Sequence, residues 1–197
     1  MTNCLLCGVG GQGTVLASKL IALSAIQQGL SAKTAETIGM AQRGGSVVSH
    51  VRIGDHIYAP MIPVGEADMI IGFEPGEAVR NLHFLKPGGT VVVNTKAVIP
   101  TTASLGLHYD GQEMLDYLKK QNCKLIEVDG DAICRQLGSS KVLNVILLGA
   151  AAATGELGLN LEQLEEAIKT KLPEKFKELN CKALYSTASN LNNRKES

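Results

Sequence analysis

The stretch CLLCGVGGQG, Cys4–Gly13, determines how the rest of the chain is organised. Its apolar residues Cys4–Cys7 predict a short buried strand, and the residues from Thr14 to Gln28 predict a helix. The turn between these two elements has the spacing G-x-G-x-x-G with one additional glycine, and its glycines are Gly8, Gly10, Gly11 and Gly13. The sequence therefore begins with a strand, a glycine-rich turn and a helix.

This order of elements is typical of an anion-binding turn. Glycine tolerates positive φ and lets backbone N–H groups come close to a ligand. The N-terminus of the following helix adds about half a positive charge at the same place. We therefore predict a phosphate or carboxylate site formed by Gly8, Gly10, Gly11, Gln12 and Gly13. The alternative is a tight strand–helix turn that binds no ligand.

Dinucleotide binding needs one more feature, an acidic residue about 20 residues beyond the turn, at the end of the second strand. The nearest candidate is Glu36, which lies in the predicted second strand Ser31–Thr37. The strand pattern around Glu36 is poorly defined. Simple NAD binding is therefore not predicted.

Composition and charge limit the remaining functional classes. The 197 residues include 21 glycines and are 45% apolar, which is typical of one globular α/β domain. We predict that domain over residues 1–185, followed by a polar tail over 186–197. Lys+Arg and Asp+Glu are both 19, so the zero net charge gives no electrostatic reason to expect nucleic acid or membrane binding.

The cysteines and the apolar segments indicate the compartment. Five cysteines, an odd number, occur in a sequence without a signal peptide, so we expect reduced thiols and a cytoplasmic protein. The longest apolar stretch, Val142–Ala153, is too short to span a bilayer and predicts a buried helix. Cys4 and Cys7 point to opposite faces of a strand, so they are predicted to be core thiols and no metal site is predicted.

A second glycine sequence follows the predicted second strand. Gln42 and Arg43 precede the pair Gly44 and Gly45, and the strand Ser46–Ile53 comes next. An arginine beside paired glycines can bind a carboxylate or phosphate with two parallel hydrogen bonds. The alternative is an arginine in a surface salt bridge at a hairpin turn. The residues alone do not decide between them.

The rest of the chain predicts the fold class. Gly54-Asp55 predicts a turn into a strand His56–Ile62, which would form an antiparallel hairpin with Ser46–Ile53. From Ala67 onward, strands alternate with helices, which predicts parallel pairing. We therefore predict a three-layer α/β/α sandwich with a mostly parallel, mixed sheet and a glycine-rich loop after the first strand.

Parallel strands also predict where a ligand would lie. In open α/β sheets, ligands bind outside the carboxyl ends of the strands. Glu74 follows the apolar strand Met69–Phe73, and Asn94 and Thr95 follow the strand Thr90–Val93. These three residues are therefore expected near the glycine turn.

Three stretches taken together resemble one family. They are CLLCGVGGQGTVLASKLIALSA from Cys4, ETIGMAQRGGSVVSHVRIGD from Glu36 and ADMIIGFEPGEAVRNLHFLKPGGTVVVNT from Ala67. They resemble the gamma subunit or domain of 2-oxoacid:ferredoxin oxidoreductases, and within that family the beta subunit of indolepyruvate:ferredoxin oxidoreductase. The likeness extends from Cys4 to about Leu184.

The resemblance implies an oxidoreductase subunit that acts on the oxo group of 2-oxo acids. The reaction converts an arylpyruvate and coenzyme A to an aryl-acetyl-coenzyme A and carbon dioxide, with ferredoxin as electron acceptor. In this family, thiamine diphosphate and iron–sulfur clusters are carried mainly by the partner alpha subunit. We therefore expect this chain to bind neither group and to be inactive alone. No general base or other catalytic residue is predicted in it.

Two other functions fit the residues. The first is a stand-alone oxidoreductase that binds NAD(P) or a flavin at the glycine turn. The second is a non-catalytic interaction subunit whose glycine turn binds no ligand. Protection of the turn by coenzyme A, ADP or NAD would distinguish these possibilities.

Overall fold

The structure is a computed structural model that describes residues 1–38, 44–99 and 108–187. Within these ranges it contains six strands in a single sheet and seven α-helices. The strands are β1 (Thr2–Val9), β2 (Ala32–Ile38), β3 (Ser46–Ile53), β4 (Ala67–Gly72), β5 (Leu85–Asn94) and β6 (Lys124–Val128). The helices are α1 (Thr14–Gln27), α2 (Pro75–Arg80), α3 (Gly111–Lys119), α4 (Gly130–Leu137), α5 (Leu143–Ala153), α6 (Leu161–Lys171) and α7 (Glu174–Tyr185).

The strand order across the sheet is β2-β3-β1-β4-β5-β6. Parallel pairing joins β1 to β4, β4 to β5 and β5 to β6, whereas β3 is antiparallel to both β1 and β2. In the middle of the sheet, Cys4 of β1 lies opposite Val51 of β3 and Met69 of β4. The predicted mixed, mostly parallel sheet is confirmed, because among the described strands β3 alone runs against the others.

Helices cover both faces of this sheet and complete the predicted three-layer sandwich. On one face, α1, α4, α5, α6 and α7 pack around a core that includes Cys4 and Leu6. On the other face, α2 and α3 pack around a smaller core that includes Leu5 and Cys7. Side chains alternate along a strand, and burying each leucine contributes about 1.5–3 kcal/mol. Both cysteines are fully buried free thiols, so the prediction of core thiols is confirmed.

The segment after β3 differs from its prediction. No strand forms over His56–Ile62, and the chain between β3 and β4 is irregular. Pro60 lacks the N–H group that strand pairing requires. The Arg52 side chain also donates hydrogen bonds to the carbonyl oxygens of Ala59 (3.0 Å) and Met61 (3.3 Å), which hold this segment as a loop beside β3. The sheet is mixed because of β3, not because of a hairpin here.

The carboxyl ends of four strands meet at one edge of the sheet. The glycine turn follows β1 and Phe73-Glu74 follows β4, while Asn94 ends β5 and Val128 ends β6. The parallel pairing of these strands brings the four ends together. Because ligands of open α/β sheets bind at this edge, the candidate site is built here.

The carboxyl-terminal helices agree with their sequence patterns. α5 is buried along most of its length, as predicted for Val142–Ala153. α6 begins with a capping box in which the Asn160 side chain accepts from the Gln163 N–H and the Gln163 side chain accepts from the Asn160 N–H. No helix within the described ranges has both the length and the apolar character that crossing a bilayer requires.

The end of the domain is only partly described. Thr187 is buried, and its hydroxyl donates to the carbonyl oxygen of Ile146 at 3.3 Å. Residues 188–197 lie outside the described ranges. The division into a domain over 1–185 and a tail over 186–197 therefore stays a prediction.

Candidate functional site

The turn after β1 contains glycines that local geometry requires. Gly11 and Gly13 have φ values of 101° and 87°, in the region that favours glycine. At Gly8 the constraint is space, because a Cβ there would lie 2.7 Å from Gln12 Oε1 and 2.7 Å from Phe73 Cβ. These constraints explain the glycines without a ligand. The ligand-binding role of the turn stays a prediction.

Two N–H groups of the turn are already bonded within the protein. Gly10 donates to the carbonyl oxygen of Gly45 at 2.8 Å. Gln12 donates to the carbonyl oxygen of Val9 at 3.2 Å. The start of the turn therefore has fewer free donors than the glycine spacing suggests.

Other N–H groups remain available at the start of α1. Within the part of the chain that the structure describes, the N–H groups of Gly11, Gly13 and Thr14 have no hydrogen-bond acceptor. Gly13 is the N-cap of α1 and supplies no side-chain cap. The first turn of a helix leaves N–H groups unsatisfied and carries the positive end of the helix dipole. An anion held by this turn would therefore lie at the start of α1.

Gln12 connects the turn to the neighbouring parallel strand. Its Oε1 accepts from the Val9 N–H at 2.7 Å, and its Nε2 donates to the Phe73 carbonyl oxygen at 3.1 Å. Asn94 Nδ2 donates to the same Phe73 oxygen at 3.3 Å. The expectation that Asn94 lies near the glycine turn is thus confirmed. Both polar atoms of the Gln12 side chain are used internally, so its contact with a ligand stays a prediction.

The second glycine sequence, which contains Gly44 and Gly45, lies beside the turn after β1. Gln42 and Arg43 lie outside the described residues, so their roles stay predictions. Gly44 has a φ of 78°, and Gly45 provides the carbonyl oxygen that accepts from Gly10. The structure therefore places the Gly44–Gly45 pair directly beside the turn.

A buried carboxylate follows β4. Glu74 is 3% exposed, and its carboxylate accepts from the Tyr109 hydroxyl, the Glu77 N–H (2.9 Å) and the Val98 N–H (3.4 Å). Tyr109 also accepts from the Gly76 N–H at 3.1 Å. Burial, together with the hydrogen bond to Glu74 and its charge, raises the pKa of the Tyr109 phenol. Glu74 thus lies at the predicted edge, but it caps α2 and anchors Tyr109.

Tyr109 was not predicted from the sequence. It is isolated from any motif, and 35 positions separate it from Glu74. Glu77 is a further buried carboxylate, and it accepts from the hydroxyl of Ser46 at 2.5 Å. Ser46 directly follows the second glycine sequence, so α2 holds the start of β3 as well.

A cavity of about 170 Å³ opens beside Gln12. Its wall includes an ion pair between Lys96 Nζ and Asp131 Oδ1 at 2.5 Å. Burial raises the pKa of the Cys134 thiol in this wall, which keeps the thiol protonated and a poor nucleophile. Asn94 and Leu143 also line the cavity. The cavity offers polar contacts for a ligand but no activated nucleophile.

A surface cluster has residue types that can bind metals. Single ligand atoms of His108, Asp110 and Glu113 lie within 4.8 Å of one another. Asp110 Oδ1 accepts from the Gln112 N–H at 2.8 Å as the N-cap of α3. This cap accounts for Asp110, and the absence of a metal site stays a prediction.

The topology bears on dinucleotide binding. Glu36 lies in β2, but β3 separates β2 from β1. In the dinucleotide fold the acidic residue ends the strand next to the glycine turn. The Glu36 strand is therefore one position too far across the sheet for that role.

Comparisons with known proteins agree with this fold. Residues 3–189 match the family described as pyruvate ferredoxin/flavodoxin oxidoreductase. The indolepyruvate oxidoreductase subunit IorB of Archaeoglobus fulgidus is 41% identical over 184 residues, which cover 92% of this chain and 91% of that protein.

Two solved structures share the fold. The gamma subunit of a keto/oxoacid ferredoxin oxidoreductase from Geobacter sulfurreducens has a TM-score of 0.73 at 24% identity, covering 98% of this chain and 99% of that chain. A 2-oxoglutarate:ferredoxin oxidoreductase from Magnetococcus marinus, solved with 2-oxoglutarate, coenzyme A and succinyl-CoA bound, has a TM-score of 0.73 at 18% identity. The match covers 98% of this chain and 31% of the Magnetococcus chain. With the resemblance of its motifs confirmed, the chain belongs to the pyruvate ferredoxin/flavodoxin oxidoreductase family.

Proposed function

We propose that this chain is the non-thiamine subunit of an indolepyruvate:ferredoxin oxidoreductase, a cytoplasmic enzyme that oxidatively decarboxylates aryl 2-oxo acids. The 41% identity to the Archaeoglobus subunit over 92% of this chain is the observation that carries the proposal. The five cysteines are all free thiols, which fits a reducing compartment. The products are an acyl-coenzyme A and carbon dioxide, and ferredoxin accepts the electrons.

The redox cofactors belong on the partner alpha subunit. An iron–sulfur cluster needs four closely spaced ligands, usually cysteines. Cys4 and Cys7, the only C-x-x-C pair in the sequence, pack in separate cores on opposite faces of the sheet. They do not fit a cluster, and no step of the reaction is assigned to one in this chain. Thiamine diphosphate is likewise assigned to the partner.

The chain is expected to work only within a complex. In the Magnetococcus enzyme this fold corresponds to 31% of one longer chain, so further protein completes the enzyme there. The described cavity beside Gln12 has a neutral thiol and an ion pair, and no general base is assigned. The role of this chain is to complete the ligand site, with catalysis on the partner.

The glycine turn would supply part of the coenzyme A or substrate site. The N–H groups of Gly11, Gly13 and Thr14, which have no acceptor in residues 1–38, 44–99 and 108–187, fit a phosphate or carboxylate oxygen at the start of α1. Gln42 and Arg43 would add a polar contact and a positive charge. The bond between Gly10 and Gly45 supports this, because it holds the second glycine sequence beside the turn.

A direct test compares the chain with and without its partner. Ferredoxin reduction with indolepyruvate and coenzyme A is expected only from the complex, and turnover by the chain alone would contradict the proposal. In the complex, Arg43→Ala should raise the KM for coenzyme A or indolepyruvate by about tenfold, because a bidentate charged contact is lost. The control is Lys182→Ala, which removes an exposed positive charge paired with Glu178 on α7. Unchanged KM values for both substrates would remove the arginine role.

One observation favours the second candidate, a subunit whose turn binds no ligand. The N–H groups of Gly10 and Gln12 are already satisfied inside the protein. If coenzyme A and indolepyruvate leave the turn of the complex unprotected in hydrogen exchange, this chain is an interaction subunit only. The stand-alone NAD(P) or flavin enzyme has no comparable support, because β3 separates Glu36 from the turn.

A further inference from the structure

Asn144 is a buried amide behind the glycine turn. It is the second residue of α5 and is 3% exposed. A Cβ built on Gly13 would lie 3.0 Å from Asn144 Nδ2 and 3.1 Å from Asn144 Cγ. The amide therefore lies directly against the N-cap residue of α1.

The amide lacks the partners that its burial demands. Asn144 Oδ1 is inaccessible to solvent and accepts no hydrogen bond within the described part of the chain. A buried polar atom without a partner lowers the free energy of unfolding, whereas an apolar side chain of the same shape does not. Asn144 is thus a costly choice for a purely structural position.

The surroundings of Asn144 are electrostatically suited to an anion. α1 begins at Thr14, and its N-cap Gly13 supplies no side-chain cap. The N-terminus of α1, whose first N–H groups have no acceptor within the described residues, therefore lies beside the amide. In the nearby cavity wall, the carboxylate of Asp131 is already paired with Lys96.

We propose that Asn144 is a ligand-binding residue that holds an oxyanion, a phosphate or a carboxylate, at the start of α1. Its Nδ2 donates to the anion beside the N–H groups of Gly13 and Thr14. The inference rests on the proposed function, which places an anionic group at this turn.

The test separates ligand binding from structural support. Asn144→Leu keeps the approximate shape and removes both polar atoms. The purified chain carrying it should unfold in urea at the same or a higher midpoint than the wild type. The complex with the partner subunit should bind its ligand at least tenfold more weakly, measured by calorimetry. Coenzyme A and indolepyruvate are titrated separately, and the one that loses affinity identifies the phosphate or the carboxylate source.

A second buried asparagine provides the matched control. Asn180 on α7 is 8% exposed, and its Nδ2 donates to the Phe176 carbonyl oxygen at 2.8 Å. Asn180→Leu should lower the unfolding midpoint and leave both affinities unchanged. If Asn144→Leu behaves in this way, the asparagine is structural and the inference is overturned.

Two further outcomes are distinguishable. If the wild-type complex binds neither ligand, the proposed function and the inference both fail. If it binds one of them and Asn144→Leu binds it equally well, only the inference fails. Asn144→Asp covers the case in which the leucine variant does not fold. Its negative charge should weaken binding of the anion by more than tenfold, and unchanged affinity would likewise overturn the inference.

Discussion

The backbone N–H of Gly10 donates a 2.8 Å hydrogen bond to the carbonyl oxygen of Gly45. This bond joins the turn after β1 to the residue directly before β3. Directly after Gly45, Ser46 donates to Glu77 on α2. The glycine turn, the start of β3 and the start of α2 are therefore one hydrogen-bonded unit, and a change in either glycine sequence should affect both.

Amide exchange should separate the two kinds of N–H group in the turn. We expect the amides of Gly10 and Gln12 to exchange more slowly than those of Gly11 and Thr14, because among the described residues only the first two are bonded to carbonyl oxygens. A net hydrogen-bond energy near 1 kcal/mol corresponds to a difference of roughly two- to tenfold. NMR exchange rates on the isotopically labelled chain measure it. Equal rates at all four amides would contradict the hydrogen-bond pattern.

Alanine substitutions should reveal the contact between Gly13 and Asn144. Gly13 (φ 87°, ψ 22°) and Gly138 (φ 72°, ψ 17°) have nearly the same backbone conformation. A Cβ at Gly138 meets no atom within 4 Å, whereas one at Gly13 would lie 3.0 Å from Asn144 Nδ2. Gly138→Ala should therefore lower the free energy of unfolding only by the cost of placing alanine at a positive φ, about 1–2 kcal/mol. Gly13→Ala should lower the free energy of unfolding by about 1–3 kcal/mol more, because its methyl group also crowds Asn144.

Urea unfolding of both variants measures the difference. The double variant Gly13→Ala/Asn144→Ala should recover much of the additional loss, since the shortened side chain leaves room for the new methyl group. If Gly13→Ala and Gly138→Ala lower the free energy of unfolding equally, the Asn144 side chain moves aside from the new methyl group without strain.

Local patterns predicted much of the edge where the site lies. The apolar run Cys4–Cys7, the glycines and the helix from Thr14 depend on neighbours in sequence, and the structure confirms them. The position of Asn94 beside the turn followed from a rule about parallel strands, which needs only the strand order in the chain. Such features are accessible because each depends on few residues close in sequence.

The remaining features depend on contacts between distant segments. The prediction of a hairpin strand over His56–Ile62 was wrong. In that segment the Arg52 side chain donates hydrogen bonds to loop carbonyl oxygens, and the local sequence pattern does not reveal this contact. Asn144 and Tyr109 belong to no motif and reach the edge only through the packing of α5 and α2. The sequence also did not predict that the Gln12 side chain bonds to the Phe73 carbonyl oxygen, because Phe73 is 61 positions away.

The buried thiols of β1 should make stability fall at alkaline pH. Burial, with a smaller contribution from Asp68, raises the pKa of Cys4, and burial followed by the charge of Glu77 raises that of Cys7. Unfolded thiols ionise near pH 8.5, so above that pH the unfolded state binds fewer protons than the folded state. The free energy of unfolding should therefore fall by up to about 1.4 kcal/mol per pH unit for each thiol.

Unfolding curves at several pH values between about 8 and 10 measure this fall in the free energy of unfolding. Cys4→Ala and Cys7→Ala should each reduce the slope of stability against pH, even though each lowers the stability itself through the cavity it creates. Slopes that match the wild type would mean that the thiols ionise within the folded protein.

The bond between Glu74 and Tyr109 should be stronger than a similar bond at the surface. The chain contains a comparison pair, in which the Tyr185 hydroxyl donates to Glu165 Oε2 at 2.8 Å. Glu74 is 3% exposed, whereas the Glu165 side chain is 23% exposed and also pairs with Lys169. Solvent and the competing lysine weaken the second bond, while low local polarity strengthens the first.

Double-mutant cycles measure both couplings. Glu74→Gln with Tyr109→Phe should give about 1.5–3 kcal/mol, as expected for a buried bond to a charged group. Glu165→Gln with Tyr185→Phe should give less than about 1 kcal/mol. Glu74→Gln should also lower the pKa of Tyr109 toward its ordinary value without reaching it, because burial is the larger cause of the raised pKa. Equal couplings would show that burial at the start of α2 adds nothing to this bond, and Glu74 would then act only as the cap of that helix.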